Sequence, residues 1–294
     1  MISSRLNFKN VVAIATCLSV TVFTSCGGES GNIGGEESAK IKMITKTTNE
    51  FGFLLTGSGV ATVDWGDESQ KDTLTLIELD LDVENRSTGA EGGVRFMHTY
   101  TTEAIRTVLI TGDNITGIDV WGKNLTGLDV SKNTELIYFG CQEGNFTKLD
   151  FSKNKALKYL ILSNNGLTGL DVSKNTALTS LSCEGEQLKS LDVSHNTVLK
   201  YLFCGNNQLK SLNVSKNKKL IWLKCNDNQL TASALKALFG TLHSNAFTID
   251  ELEYDDLFLG SQISGKTITI IANPGTATCD RSIAVRKGWI FNDK

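Results

Sequence analysis

Residues 199–219 read LKYLFCGNNQLKSLNVSKNKK, and the same pattern repeats on both sides without a gap. Residues 178–198 read LTSLSCEGEQLKSLDVSHNTV, and residues 157–177 read LKYLILSNNGLTGLDVSKNTA. The period is 21 residues. It extends back to LIYFGCQEGNFTKLDFSKNKA at 136–156 and forward to LIWLKCNDNQL from Leu220. Two half-units precede it, ITGIDVWGKN from Ile115 and LTGLDVSKN from Leu125. Apolar side chains recur at positions 1, 4, 6, 11, 14 and 16, which in the first quoted unit are Leu199, Leu202, Cys204, Leu209, Leu212 and Val214. Positions 4 and 6 alternate with 3, 5 and 7, the signature of a strand with one buried face. Asparagine recurs at positions 9 and 19, here Asn207 and Asn217. One amide per coil at a fixed place can bond backbone groups of the next coil and form a ladder. A lone coil buries too little apolar surface to offset the ordering of its backbone, so coils must stack and the stack needs caps.

The half-unit LxxLxCxxN resembles the leucine-rich-repeat consensus, with cysteine in a leucine position. The half-unit LxxLDVSxN resembles the nested-period bacterial class, the IRREKO type. The resemblance covers about residues 105–290 and implies a solenoid of 21-residue coils. The repeats are assigned to 105–230 and a C-terminal cap to 231–294. In the cap, Leu235, Leu238, Phe239 and Leu242 follow helical spacing within TASALKALFGTL, Thr231–Leu242. A strand at Lys266–Ile271, a turn at Asn273-Pro274-Gly275, a short helix over Cys279–Lys287 and a Trp289 lid complete it. The segment 244–264 reads as an insertion.

Residues 41–104 do not carry the repeat. Strand-like runs cover Ile41–Thr47, Phe51–Thr56, Val60–Trp65, Leu74–Leu79 and Val94–Tyr100. Val63-Asp64-Trp65-Gly66-Asp67 and His98-Thr99-Tyr100 resemble the VDWGDG and HTY signatures of PKD-like domains, with Glu68 in place of the second glycine. The resemblance implies a small Ig-like β-sandwich. Ile105–Thr111 is expected to supply its last strand and lead into the repeats. The expected fold class is therefore mainly β, a small sandwich followed by a leucine-rich-repeat solenoid with a short helical cap.

The chain opens with Arg5 and Lys9, then an apolar run from Val11 to Phe23. That run is shorter than the roughly twenty residues a membrane span needs and suits a secretory signal. Phe23-Thr24-Ser25-Cys26-Gly27 resembles a bacterial lipobox, which implies loss of residues 1–25 and acylation of Cys26. Residues 26–40 then form a flexible tether. The implied location is the outer membrane, facing outward, held through the lipid alone.

Composition narrows the function. Lys plus Arg is 29 against 32 Asp plus Glu, a net charge of −3, so the chain lacks the basic footprint of a nucleic-acid binder. With 27 glycines and one proline, it suits continuous strands joined by glycine and asparagine turns. Cys141, Cys183, Cys204 and Cys225 fall at position 6, facing inward, and read as small apolar residues in preference to a disulfide or metal ladder. No closely spaced cysteine pair suggests zinc. Among the histidines, His98 belongs to its motif, His195 stands where Lys174 and Lys216 do, and His243 follows the cap helix. No Ser/His/Asp or Cys/His arrangement stands out. Asp129, Asp150, Asp171 and Asp192 form a column that reads as hydrogen-bonded structure, with calcium the alternative. The acidic run Asp250–Asp256 lacks the spacing of a calcium loop and reads as a solvated segment.

The outward column is the informative one. Position 3 runs Tyr138, Tyr159, Ser180, Tyr201, Trp222, and position 5 ends in Phe203 and Lys224. In the repeat fold both columns face the concave side. Tyr138, Tyr159, Tyr201, Phe203, Trp222 and Lys224 are therefore the candidate ligand-binding residues, for a glycan or an extended protein segment. The bland alternative is that neighbouring rings stabilise the sheet. The expected function is recognition without catalysis, cofactor or metal, by a monomer. A structural spacer or adhesin is the first alternative, and a glycan-handling enzyme, needing two converging carboxylates, is the second.

Overall fold

The structure is a computed structural model that describes residues 39–78, 93–121, 125–146, 148–246 and 265–292. The expected signal peptide, Cys26, nearly all of the expected tether and the acidic run 250–256 lie outside the described residues. The elements in chain order are β1 (Ile41–Thr47), β2 (Glu50–Asp64), β3 (Asp72–Thr75), β4 (Val94–Thr99), β5 (Ala104–Trp121), β6 (Leu125–Asp129), β7 (Tyr138–Gln142), β8 (Tyr159–Ser163), β9 (Ser180–Glu184), β10 (Tyr201–Phe203) and β11 (Trp222–Lys224). Then follow α1 (Ala232–Thr241), β12 (Thr267–Thr269), α2 (Ser282–Arg286) and β13 (Ile290–Phe291).

The fold is a mainly β solenoid of 21-residue coils. Strands β7 to β11 pair in parallel with equivalent residues side by side: Tyr138, Tyr159, Ser180, Tyr201 and Trp222 stand in one row. At position 4, Phe139 lines the core in the place that Leu160, Leu181, Leu202 and Leu223 take in the later coils, and all five are fully buried. Position 6 follows: Cys141, Leu162, Cys183, Cys204 and Cys225 face the same core.

Both asparagine columns form ladders. At position 19, Asn154, Asn175, Asn196 and Asn217 each donate Nδ2 to two carbonyls of the preceding coil, as Asn196 does to Val172 at 3.0 Å and Asn175 at 2.8 Å. At position 9, Asn207 accepts from the Leu188 amide and donates to the Cys183 carbonyl, and Asn228 does the same one coil on. Asn273 is a further rung, bonding Leu230 and Cys225. The turn expected at 273–275 is thus also a ladder position of a final coil, displaced by the inserted residues before β12.

The cap matches its sequence pattern. Helix α1 is N-capped by Thr231, whose hydroxyl accepts from the Ala234 amide at 3.2 Å. Lys287 Nζ donates to the carbonyls of Gly240 and Leu242, both at 2.6 Å, closing the far end of the helix. Trp289 is buried, and its Nε1 donates to the His243 carbonyl.

The N-terminal module differs from expectation in two respects. The runs 51–56 and 60–65 are one strand, β2, whose register shifts at Thr56/Gly57 and between Ser58 and Ala61. The expected last strand does not stop at Thr111. Strand β5 continues to Trp121, pairing with β1 over Ala104–Ile110, with β2 over Leu109–Trp121, and with β7 over Gly117–Trp121. All thirteen strands therefore belong to one sheet, and the 104/105 boundary falls at the start of a shared strand. The two short motifs pack together: Trp65 stacks on His98 at 5.0 Å, the Tyr100 hydroxyl donates to the Trp65 carbonyl, and His98 Nε2 bonds Asp67 at 2.7 Å.

Candidate recognition face

Alternation along each strand sends positions 4 and 6 inward and positions 3, 5 and 7 to the opposite face. Because the sheet is continuous through β5, that face also runs onto β2 and β4. Register places Leu54 and Gly140 on either side of Asp119, with Arg95 one strand beyond Leu54 and Ile161 one strand beyond Gly140. The face thus begins with Arg95, Asp119 and Trp121. It proceeds through Tyr138, Tyr159, Ser180 and Ser182 and ends with Tyr201, Phe203, Trp222 and Lys224.

The six candidate residues share this face, but they are not a row of open rings. Tyr201, Phe203 and Trp222 are 4%, 5% and 6% exposed and form, with Ile221, a cluster separate from the main core. Tyr138 is buried as well, while Tyr159 and Lys224 are half-buried. The expectation of exposed aromatics is corrected here. Large rings on adjacent strands lie about 4.8 Å apart and pack on one another. Phe203 and Trp222 meet edge to face at 5.5 Å. Lys224 Nζ lies over both rings, 4.8 Å from Phe203 and 5.0 Å from Trp222. Cation–ring contact of this kind contributes about 0.5–2 kcal/mol depending on desolvation. Trp222 Nε1 is buried with no hydrogen-bond partner among the described residues.

Two carboxylates on the face went unnoticed in the sequence. Asp119 accepts a hydrogen bond from the Tyr138 hydroxyl, and burial pushes its carboxyl up to about 6 despite that bond. Glu184 is also pushed up by burial, with the Lys224 charge pulling the other way. Asp119 sits in register with Ser182 three strands away, so the two backbones are about 14 Å apart.

The remaining columns are structural. The Ser152, Ser173 and Ser194 amides donate to Asp150, Asp171 and Asp192, and these amides with the serine hydroxyls hold the carboxyls below their usual range. The column cysteines are free thiols, and burial pushes Cys141 and Cys225 up to about 12. His243, expected only to follow the helix, is buried and bonds the Leu220 carbonyl through Nε2 at 2.6 Å. Among the described residues no group of three or more His, Cys, Asp or Glu side chains is placed to hold a metal.

No protein-family model matches the chain, and no curated protein matches it. The solved structures that match parts of the chain include three bacterial proteins. The functional domain of InlJ from Listeria monocytogenes, described as including a cysteine ladder, is 29% identical with a TM-score of 0.38 over 50% of this chain. The leucine-rich-repeat protein LIC12759 of Leptospira interrogans is 20% identical with a TM-score of 0.40 over 56% of this chain. Internalin C2 of Listeria monocytogenes is 20% identical with a TM-score of 0.35 over 44% of this chain. The aligned regions span 29% of the InlJ domain and 44% of the Leptospira protein.

Proposed function

We propose that the chain is an envelope-anchored recognition protein that binds a protein or a glycan on its concave face and carries out no catalysis. Acylation at Cys26 would hold it on the outer membrane, outward-facing and monomeric, with the PKD-like module between the lipid and the coils. The observation that carries this reading is the second cluster. Tyr201, Phe203, Ile221 and Trp222 form an apolar group on the sheet face opposite the core, topped by the Lys224 charge. A spacer needs no such group.

The test is a binding screen of surface proteins and glycans with the protein, beside Tyr201→Ala/Trp222→Ala and Lys224→Glu variants. The first removes the rings and, because they are buried, is accompanied by a thermal melt. The second leaves the rings in place and reverses the charge over them. A partner whose affinity falls about tenfold or more in both places recognition here. Partners that ignore both variants, or no partner at all, favour the spacer reading.

A further inference from the structure

We propose that the N-terminal end of the concave face, at Asp119, receives a basic side chain, lysine or arginine, of a protein partner. The proposal rests on the concave-face reading and names the chemistry of one part of it.

Asp119 is set into the floor of the sheet. Leu54, Asp119 and Gly140 stand in register on β2, β5 and β7. A Cβ at residue 140 would collide with the Asp119 carboxylate and the Tyr138 hydroxyl, so glycine is required for this pair to form. One step along, a Cβ at Gly117 would collide with the Thr56 hydroxyl. That hydroxyl is fully buried and, among the described residues, has no hydrogen-bond partner. Two glycines on adjacent strands thus make room for a carboxylate, a phenol and an unpartnered hydroxyl on one patch of the floor.

The patch has no counter-charge. Among the described residues, no ion pair reaches Asp119. Arg95, in register with it across β2, lies instead over the Trp121 ring at 5.2 Å. Lys224 does the same over Phe203 and Trp222 at the other end of the face. Both ends therefore show the chain's own cations resting on aromatic rings. Between them, Asp119 lies beside Tyr138 and two residues from Trp121, with no cation of its own. Burial also raises the carboxyl to about 6, so at neutral pH it is an ionised group kept in an unfavourable place. Such a group is a functional candidate when a cleft or face gives it access.

Charge decides the occupant. An anionic ligand would be repelled, and a neutral sugar, though its hydroxyls can donate to the carboxylate, would bury it further without bringing the opposite charge, which is costly. A metal would need further protein donors, and among the described residues none cluster there. An ammonium or guanidinium group brings the missing charge, several N–H donors for Asp119 and Thr56, and a flank that rests on the rings.

The test uses the isotopically labelled protein and the peptides Ac-Gly-Gly-Xaa-Gly-Gly-NH2, with arginine, lysine or norleucine at the centre, read by amide chemical shifts. The arginine and lysine peptides are expected to shift the Gly117, Asp119 and Gly140 amides saturably, and norleucine is not. Asp119→Asn keeps the shape and the bond from Tyr138, and is expected to weaken binding about tenfold or more. It is also expected to melt at or above the temperature of the unaltered chain, because it removes an unpaired buried charge. A merely structural carboxylate would lower the melting temperature and leave the peptides unaffected. As a check that needs no variant, binding by the unaltered chain should fade between pH 7.5 and pH 5 as Asp119 takes up its proton. Equal shifts by all three peptides, or unchanged binding by Asp119→Asn, overturn the proposal. Shifts confined to the Glu184–Lys224 end overturn it while leaving the concave-face reading intact. Array partners that ignore the face defeat the broader reading and leave the peptide result at Asp119 standing by itself.

Discussion

The asparagines and aspartates of the repeat show how far one residue's role follows from its position. Asn196 Nδ2 satisfies the Val172 and Asn175 carbonyls in the interior. Asn196→Ala removes one donor from each, while the Asn175 and Leu178 amides still bond them, and is expected to cost about 1–3 kcal/mol in urea denaturation. A loss under about 0.5 kcal/mol would mean that water replaces the amide. This role was legible because the residue recurs at a fixed step. Asp119 was not legible, for an instructive reason. It sits in Thr-Gly-Ile-Asp-Val, nearly the same string as Thr-Gly-Leu-Asp-Val around Asp129. Asp129 ends a strand and accepts from the Ser131 amide at 2.8 Å, whereas Asp119 is mid-strand between β2 and β7. The partner strands, which come from distant sequence, make the difference.

That difference has a sign that pH titration reads. The Asp119 carboxyl rises from 3.8 to about 6 in the fold, so the folded state holds its proton more tightly. Its contribution to stability is fully present below pH 3.8 and is lost as pH rises through 6. A shift of this size corresponds to about 2–3 kcal/mol at most. Asp150, Asp171 and Asp192 act in the opposite sense, contributing above their unfolded values and losing that contribution as pH falls through their lowered ones. The stability of the unaltered chain minus that of Asp119→Asn, taken from pH 4 to 8, should therefore decline as pH rises, steepest near pH 5, between the unfolded and folded values, and level off above about 7. A flat difference would show that Asp119 is better solvated than its surroundings indicate.

Among the elements, those built on periodicity were found within a few residues, and those built on pairing were not. Helix α1 was expected over Thr231–Leu242 and spans Ala232–Thr241, because i, i+3, i+4, i+7 spacing is local information. The five repeat strands followed from period and alternation together. Strand β2 was read as two because Gly57, Ser58 and Gly59 resemble a turn, while the structure uses them to shift register against β5. The face exposure of the aromatics was misjudged because ring-on-ring packing is a property of neighbouring coils. At this scale the cap offers the clearest experiment. Thr231→Ala removes one capping bond and should cost about 1 kcal/mol. Lys287→Met removes the cation that binds the Phe239, Gly240 and Leu242 carbonyls and should cost more, with faster hydrogen exchange in α1 and β12 before β8 or β9. Uniform acceleration along the solenoid would show instead that the cap and coils open as one unit.

At the scale of the molecule, the shared strand β5 decides how the halves behave. Solenoid coils touch only their neighbours, so a stack can lose cooperativity wherever one interface is weak. A sandwich merely tethered to such a stack would unfold on its own. Here the junction is a strand. Residues Gly52 to Asp64 of β2 pair along β5, and the same β5 residues Gly117 to Trp121 pair on their other edge with β7. Unfolding the module would strip one edge of the strand on which the first full coil is built, exposing Phe53, Leu55, Ile118 and Val120 from a common core. The interface between module and coils is thus no weaker in kind than the interface between coils. Calorimetry is expected to show one transition with matching calorimetric and van't Hoff enthalpies. Thr56→Pro would remove a ladder donor within the paired part of β2. It should lower that single transition as a whole, with fluorescence from Trp65 in the module and Trp222 in the coil before the final one shifting together. Two resolved transitions in the unaltered chain, with Trp65 reporting the first and Trp222 the second, would mean that β5 joins two independent domains, and that the face running from Arg95 to Lys224 is continuous in geometry but not in stability.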